Sequence, residues 1–141
     1  MIRIKKDFLR NADIALFVLR VGLGGMMLFH GIHKLQHGVG TIAGMLDNSG
    51  LPEFLAYGTY LGEVVAPVMI IAGLLTRAAS FVFAVNMIVA ILMAHMTVLF
   101  SVSAATGGWL IELPMLYLVG ATALCFSGGG KYSFTRGTVF D

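Results

Sequence analysis

Eight side chains in this 141-residue sequence bring proton or charge chemistry into an apolar setting: Arg20, His30, His33, Lys34, Glu63, Asn86, His95 and Glu112. Each lies inside or at the rim of a long apolar run. An ionisable group at such depth costs several kcal/mol and nearly always faces the protein interior with a partner. Arg20 is the plainest case, and the acids within the other runs are Glu63 and Glu112. At a rise of ~1.5 Å per residue, Arg20 lies roughly 10 Å from Asp13 and Glu63 roughly 20 Å from Arg77. A long side chain covers most of that difference, so Glu63 is the expected counter-ion of Arg20. Asn86, about 13 Å from Arg77, would join them.

The surroundings of this pair fit a polar layer. Pro67 follows Glu63 by four residues and has no N–H for the Glu63 carbonyl, so side chain and backbone present acceptors at one level. Arg20, Gly24, Met27, Gly31 and Lys34 share one helical face at about 100° per residue. Its glycines leave room for the arginine to cross. Gly58, Gly62 and Gly73 form a second small-residue stripe along which a neighbouring helix can approach. The layer reads either as a clamp that fixes how the helices assemble or as a site of chemistry.

A second polar layer holds His30, His33, Lys34, His95 and Glu112 near the opposite ends of their runs. Three histidines and a glutamate can pass protons to a ligand. No tight ligand spacing accompanies them, so no metal site is expected. Glu112 has a plainer reading as a first-turn carboxylate favoured by the helix dipole, with Pro114 suited to a helix beginning.

The elements that must hold these residues follow from composition. The chain is 58% hydrophobic and 11% charged, with a mean hydropathy of +0.91. Soluble domains carry about 25% charged residues, so this chain lacks the charge to coat a water-facing surface. The expected fold is all-α: a four-transmembrane-helix bundle forming one domain over 1–141, with spans at about 13–33, 55–75, 78–100 and 109–127. Between them lie the turn-forming stretch 47-DNSGLP-52, a hairpin joined by Thr76 and Arg77, and the uncharged loop 101-SVSAATGG-108. The run from Ile14 is long enough to cross a bilayer and no A-x-A-like site follows it, so it reads as a retained helix rather than a leader. The single cysteine, Cys125, excludes an internal disulfide and C-x-x-C chemistry, and reads as a small apolar filler. The tail 128-GGGKYSFTRG-137 lacks the phosphate-loop register, because Tyr132 follows Lys131, and reads as an interfacial anchor.

Topology follows from the basic residues. Arg3, Lys5, Lys6, Arg10, Arg77, Lys131 and Arg136 fall on one side of the four spans and only Lys34 on the other, so both termini are expected in the cytoplasm. A net charge of +2 gives no case for nucleic acid.

Three stretches, 20-RVGLGGMMLFHGIHKL-35, 50-GLPEFLAYGTYLGEVVAPVMIIAGLLTRAA-79 and 107-GGWLIELPMLYLVGATALCFSGGGKYSF-134, resemble the DoxX-like family of small bacterial membrane proteins, in the family's order and over nearly the whole chain. The first-helix pattern is met by Arg20, Gly31 and Lys34, and the second-helix acid by Glu63. Gly73, Leu74, Thr76 and Arg77 match the hairpin motif, Glu112 the fourth-helix acid, and Gly128, Gly130, Tyr132 and Ser133 the ending. The resemblance implies a place in the bacterial cytoplasmic (inner) membrane. It also implies a tie to membrane redox systems, since members are similar to a subunit of thiosulfate:quinone oxidoreductase.

The leading expectation is therefore a quinone-associated redox protein, or a subunit of a membrane oxidoreductase complex. Electron transfer would then need a bound quinone, a partner redox subunit or, as a weaker alternative, haem. Glu63, Arg20, His95 and Glu112 are the candidate catalytic residues; Arg20, Lys34, His30 and Asn86 are the candidates for holding the head group. A small-molecule or proton-coupled transporter, which at four spans would need a homo-oligomer, is the second reading. A non-catalytic membrane partner of another protein is the third.

Overall fold

The computed structural model describes residues 11–141, so the basic residues Arg3, Lys5, Lys6 and Arg10 lie outside the described part. The described chain is all-helical, at 71% helix, with no strand; an isolated bridge joins Val102 to Trp109. Helix α1 runs Ala12–His37. A short α2, Gly40–Asn48, follows, then α3 over Glu53–Ala72, α4 over Thr76–Ala94 and α5 over Glu112–Ser127.

Three of these helices, α1, α3 and α4, are long and apolar enough to cross a membrane. Helix α5 has 16 residues and is shorter. No more than a third of each long helix's apolar window is buried inside the protein. Side chains such as Phe29 and Phe81 point outward, which is favourable only in an apolar surrounding. Inside, Leu23, Met27, Ile70, Phe83, Met87, Tyr117 and Leu124 form one core, and the small residues Ala66, Ala79, Ala84 and Ala121 let the helices close on it.

Local chemistry sets the helix ends. The Asn11 side chain accepts from the N–H groups of Asp13 and Ile14 and so caps α1, with Asp13 in its first turn. Helix α3 ends at Gly73, whose left-handed backbone (φ 72°) turns the chain, while the Leu74 N–H reaches back to the Met69 carbonyl. The α3–α4 turn is thus made by Gly73, Leu74 and Leu75. Thr76 is the buried first residue of α4 rather than part of the connection. At the far end, α4 stops at Ala94 rather than continuing to residue 100. His95 takes a non-helical conformation, and a single 3-10 turn, Met96–Val98, follows. Trp109 precedes α5 instead of opening it and donates its indole N–H to the Leu99 carbonyl.

Two segments that read as connections are built parts of the fold. Over residues 39–57, Val39, Leu46 and Ala56 form a small core packed against Tyr60 and Met93, beside the start of α3 and the end of α4. At the opposite end, the segment 128–141 folds beneath the helices. Thr135 takes up the Gly73 carbonyl with both its N–H and its hydroxyl, and its Oγ1 accepts from the Leu75 N–H. The Phe140 carbonyl accepts from Arg77 and Ala78, two orphan donors at the start of α4.

Candidate functional site

Antiparallel packing of α1 on α3 sets the register of every charge in the bundle. Gly31 lies against the Glu63 carbonyl and Val64, Gly24 against the Pro67 carbonyl and Ile71, and the Arg20 guanidinium against Gly73. A methyl on Gly31 would overlap the Glu63 backbone. Only a glycine lets the two backbones approach this closely. Gly62, on the other side of α3, does the same for α4, since its Cα rests on the Asn86 side chain.

That register separates Arg20 from Glu63, and the expected ion pair between them is not formed. Glu63 instead pairs with Lys34, the one salt bridge among the described residues. The register spacing between Gly31 and Arg20, eleven residues, puts the two charged layers about 16 Å apart. Side-chain direction decides the outcome. A helical side chain leans toward its own N-terminus, so on antiparallel helices Lys34 leans down toward Glu63 and Glu63 leans up toward Lys34. Arg20 leans away from both. The ends of the helices are also not level: α1 begins beside the C-terminal segment, where Asp13 accepts from the Lys131 N–H.

Arg20 is fully buried. Its two Nη atoms donate to the Ile70 carbonyl at 3.3 Å and the Tyr132 carbonyl at 2.6 Å, while Nε has no partner. The Ile70 carbonyl belongs to the last turn of α3, whose dipole presents its negative end to the guanidinium, and the Tyr132 carbonyl belongs to the C-terminal segment. Arg20 therefore joins the end of α3 to the C-terminal segment. Two open grooves lie at this end, around Phe17 and Tyr132.

The Lys34–Glu63 layer has the features of a site. Glu63 is nearly excluded from solvent, with a side chain 6% exposed, whereas that of Lys34 is 25% exposed. Glu63 Oε1 takes the Lys34 ammonium and, at 3.5 Å, the Asn86 amide. Oε2 is buried with no partner. The backbone around Glu63 is irregular as well: Leu61–Val65 forms a π turn immediately before Pro67. A π turn frequently marks a functional position in a helix. Tyr60 donates its hydroxyl to the Lys34 carbonyl and ties the end of α1 to α3.

The remaining candidates divide. Asn86 joins Glu63, though not Arg20. His30 is exposed and meets the edge of the Tyr117 ring at 6.2 Å. His33 is exposed and stacks on His37, 4.3 Å between ring centres, and His37 Nδ1 sits 3.0 Å from the His33 carbonyl. His95 lies nine residues beyond Asn86, roughly 13 Å along α4, with Nδ1 near the Ala90 carbonyl. Glu112 is exposed in the first turn of α5. The outer layer thus does not converge: Lys34 leaves it for Glu63, and the histidines stay at separate places. No group of three or more metal-ligating side chains occurs among the described residues. Sequence reasoning passed over Tyr117, a buried ring between His30 and Phe83. Its spacing from Gly120, Ala121 and Leu124 along one face of α5 was the available signal.

The sequence profile of the DoxX family matches residues 15–96, a stretch that holds Arg20, Lys34, Glu63, Asn86 and His95. The chain belongs to the DoxX family. The match stops before α5, Glu112 and the C-terminal segment. DoxX likeness extends to a curated relative, "Putative oxidoreductase CatD" of Bacillus subtilis (strain 168), 35% identical over 83 residues. That alignment covers 59% of this chain and 61% of the relative, so less than two thirds of the relative is represented. No solved structure matches the chain.

Proposed function

We propose that this DoxX-family protein is the membrane component of a quinone-linked oxidoreductase, and that Lys34, Glu63 and Asn86 bind the quinone head group. The observation that carries the proposal is the half-satisfied Glu63 carboxylate. Oε1 is fixed by an ammonium and an amide, while Oε2 is buried and unpartnered. Unpaired buried carboxylate oxygens are costly, and a donor from a ligand would satisfy this one. The relative's name, "Putative oxidoreductase CatD", supports the same class of activity.

The residues fit such a group in both of its oxidation states. An oxidised head group offers ring carbonyls, to which the Lys34 N–H groups not engaged by Glu63 can donate. A reduced head group offers hydroxyls, and Glu63 Oε2 can accept from one of them. When bound, a quinone supplies the two-electron chemistry, with electrons exchanged through a partner redox subunit. This chain's residues bind and orient the ring. Lys34 and Asn86 hold Glu63 through Oε1, which leaves Oε2 free to accept from the ligand. Asn86 fixes the rotation of the carboxylate. The outward apolar faces of α1 and α3 bring a lipid-soluble substrate to the pair from the bilayer.

In this reading α5 is a fourth span, about 24 Å long by its rise and lengthened toward bilayer thickness by Trp109–Ile111. Arg77, Lys131 and Arg136 share one end of the bundle, through the contacts of the C-terminal segment, while Lys34 is turned inward to Glu63. By the positive-inside rule that end faces the cytoplasm of a bacterial inner membrane.

The test is the quinone content of protein purified in mild detergent, measured by absorption and by mass spectrometry of the extract. The proposal expects quinone near one per chain in the parent and a large loss in both Lys34→Met and Glu63→Gln. Lipid alone in the parent would overturn it. A second reading, proton-coupled transport, is favoured by the π turn and Pro67 around a buried acid. Uptake by vesicles driven by a pH gradient, abolished by Glu63→Gln, would select it.

A further inference from the structure

Two open grooves lie in the Arg20 layer, away from the Lys34–Glu63 pair, where α1 meets the C-terminal segment. One, of about 310 Å³, is walled by Ile14, Phe17 and Tyr132. The other, of about 440 Å³, shares Phe17 and Tyr132 and adds Ser133, Phe134 and Arg136. Both are open to the surroundings rather than enclosed. Together they make one groove with an apolar arm and an arm that ends on a guanidinium.

Its walls are held in place from behind. The Arg20 guanidinium carbon lies 5.8 Å over the Phe17 ring, and Phe17 meets Tyr132 edge-on at 6.0 Å. The Tyr132 carbonyl is in turn fixed by Arg20. Arg136 donates through Nε to the Ser133 carbonyl at 3.2 Å, which places the guanidinium at the groove and leaves its Nη atoms to donate outward.

Charge at this end favours an anion. Arg136, Lys131 and Arg77 are exposed, and Arg20 lies beneath. The facing acids are Asp13 and Asp141, and both are already engaged. Asp13 accepts from the Lys131 N–H, and the Asp141 carboxylate lies against the Thr135 hydroxyl, which it shares with the Gly73 carbonyl. Phe134 is 83% exposed and Phe126 81% exposed. Aromatic rings displayed beside cations are what a membrane–water boundary stabilises.

We infer that this groove binds one anionic phospholipid, its phosphate on Arg136 and Lys131 and the upper part of an acyl chain against Phe17 and Ile14. The groove opens among lipid-facing side chains of α1, so its occupant needs an apolar part that free phosphate lacks. The inference does not depend on the quinone reading, since it involves neither Lys34 nor Glu63.

Native mass spectrometry of the full chain tests it, in detergent supplemented with equal phosphatidylglycerol and phosphatidylcholine. The expected result is preferential retention of phosphatidylglycerol, falling about five-fold for each cation removed in Arg136→Gln and Lys131→Gln. Thermal unfolding in phosphatidylcholine checks that the variants fold. Should Arg136→Gln unfold, Lys131→Gln, altered only at an exposed side chain, still gives the answer. Equal retention of the two lipids overturns the inference. So does undiminished retention in the folded variants, or displacement of the lipid by inorganic phosphate.

Discussion

Replacing Lys34 by methionine isolates the energetics of the buried pair. Methionine keeps most of the lysine's apolar stem but removes the ammonium, so Glu63 is left with the Asn86 amide as its donor among the described residues. Breaking a buried ion pair from one side costs about 3–5 kcal/mol when the remaining charge is fully enclosed. Glu63 meets that condition, but Lys34 is a quarter exposed, so the pair is not fully enclosed. The expected loss is then about 2–4 kcal/mol. Glu63→Gln should cost less, about 1–2 kcal/mol, because the stranded lysine can turn toward water and the amide still hydrogen-bonds. The double variant Lys34→Met/Glu63→Met should recover most of the Lys34→Met loss, because an apolar pair carries no desolvation penalty. Reversible unfolding in mixed micelles gives all three values. If the double variant is no more stable than Lys34→Met, the charge left on Glu63 is not what destabilises the single variant, and the reasoning fails.

Further outcomes follow from the same geometry. Arg20→Met and Glu63→Gln lie in separate layers, so their effects on unfolding should add to within about 0.5 kcal/mol; a larger coupling would restore the Arg20–Glu63 clamp. Gly31→Ala places a methyl on the Glu63 carbonyl and should cost about 1–3 kcal/mol. Gly25→Ala, which meets open space on the same helix, should be neutral or stabilising by up to about 1 kcal/mol; the two melting curves compared side by side check the α1–α3 register. Thr135→Val removes the hydroxyl that links the Gly73 carbonyl to the Leu75 N–H, and a loss of about 1–3 kcal/mol is expected in thermal unfolding.

The long elements were legible because bilayer-length apolar runs carry a strong one-dimensional signal. The small-residue face of α1 was legible too, with Gly24 and Gly31 serving close approach; on α3 only Gly62 does so, while Gly58 meets open space and Gly73 meets Arg20 and Ser133. The partner of Glu63 was misjudged for a geometric reason. Depth counted from Asp13 and Arg77 assumed level helix ends and an arginine reaching outward. The chain instead ends α3 at Gly73 and directs Arg20 back toward its own N-terminus. The lean of side chains on antiparallel helices, applied to Lys34 and Glu63, would have paired them from sequence. The C-terminal segment was harder. Ser133, Thr135 and the Phe140 carbonyl act by meeting orphan backbone groups at the Gly73 turn and the start of α4, and such contacts leave no periodicity. The 39–57 segment sits between these cases: Val39, Ile42 and Leu46 have helical spacing, but Gly40 and Gly44 weaken the signal.

The claim that Glu63 Oε2 accepts a hydrogen bond from a hydroxyl of the reduced head group can be read directly by infrared difference spectroscopy of the protein in quinone-loaded nanodiscs, before and after reduction. The account predicts a difference band in the carboxyl stretching region that appears on reduction and is missing in Glu63→Gln. A spectrum without that band, or the same band in Glu63→Gln, would contradict it.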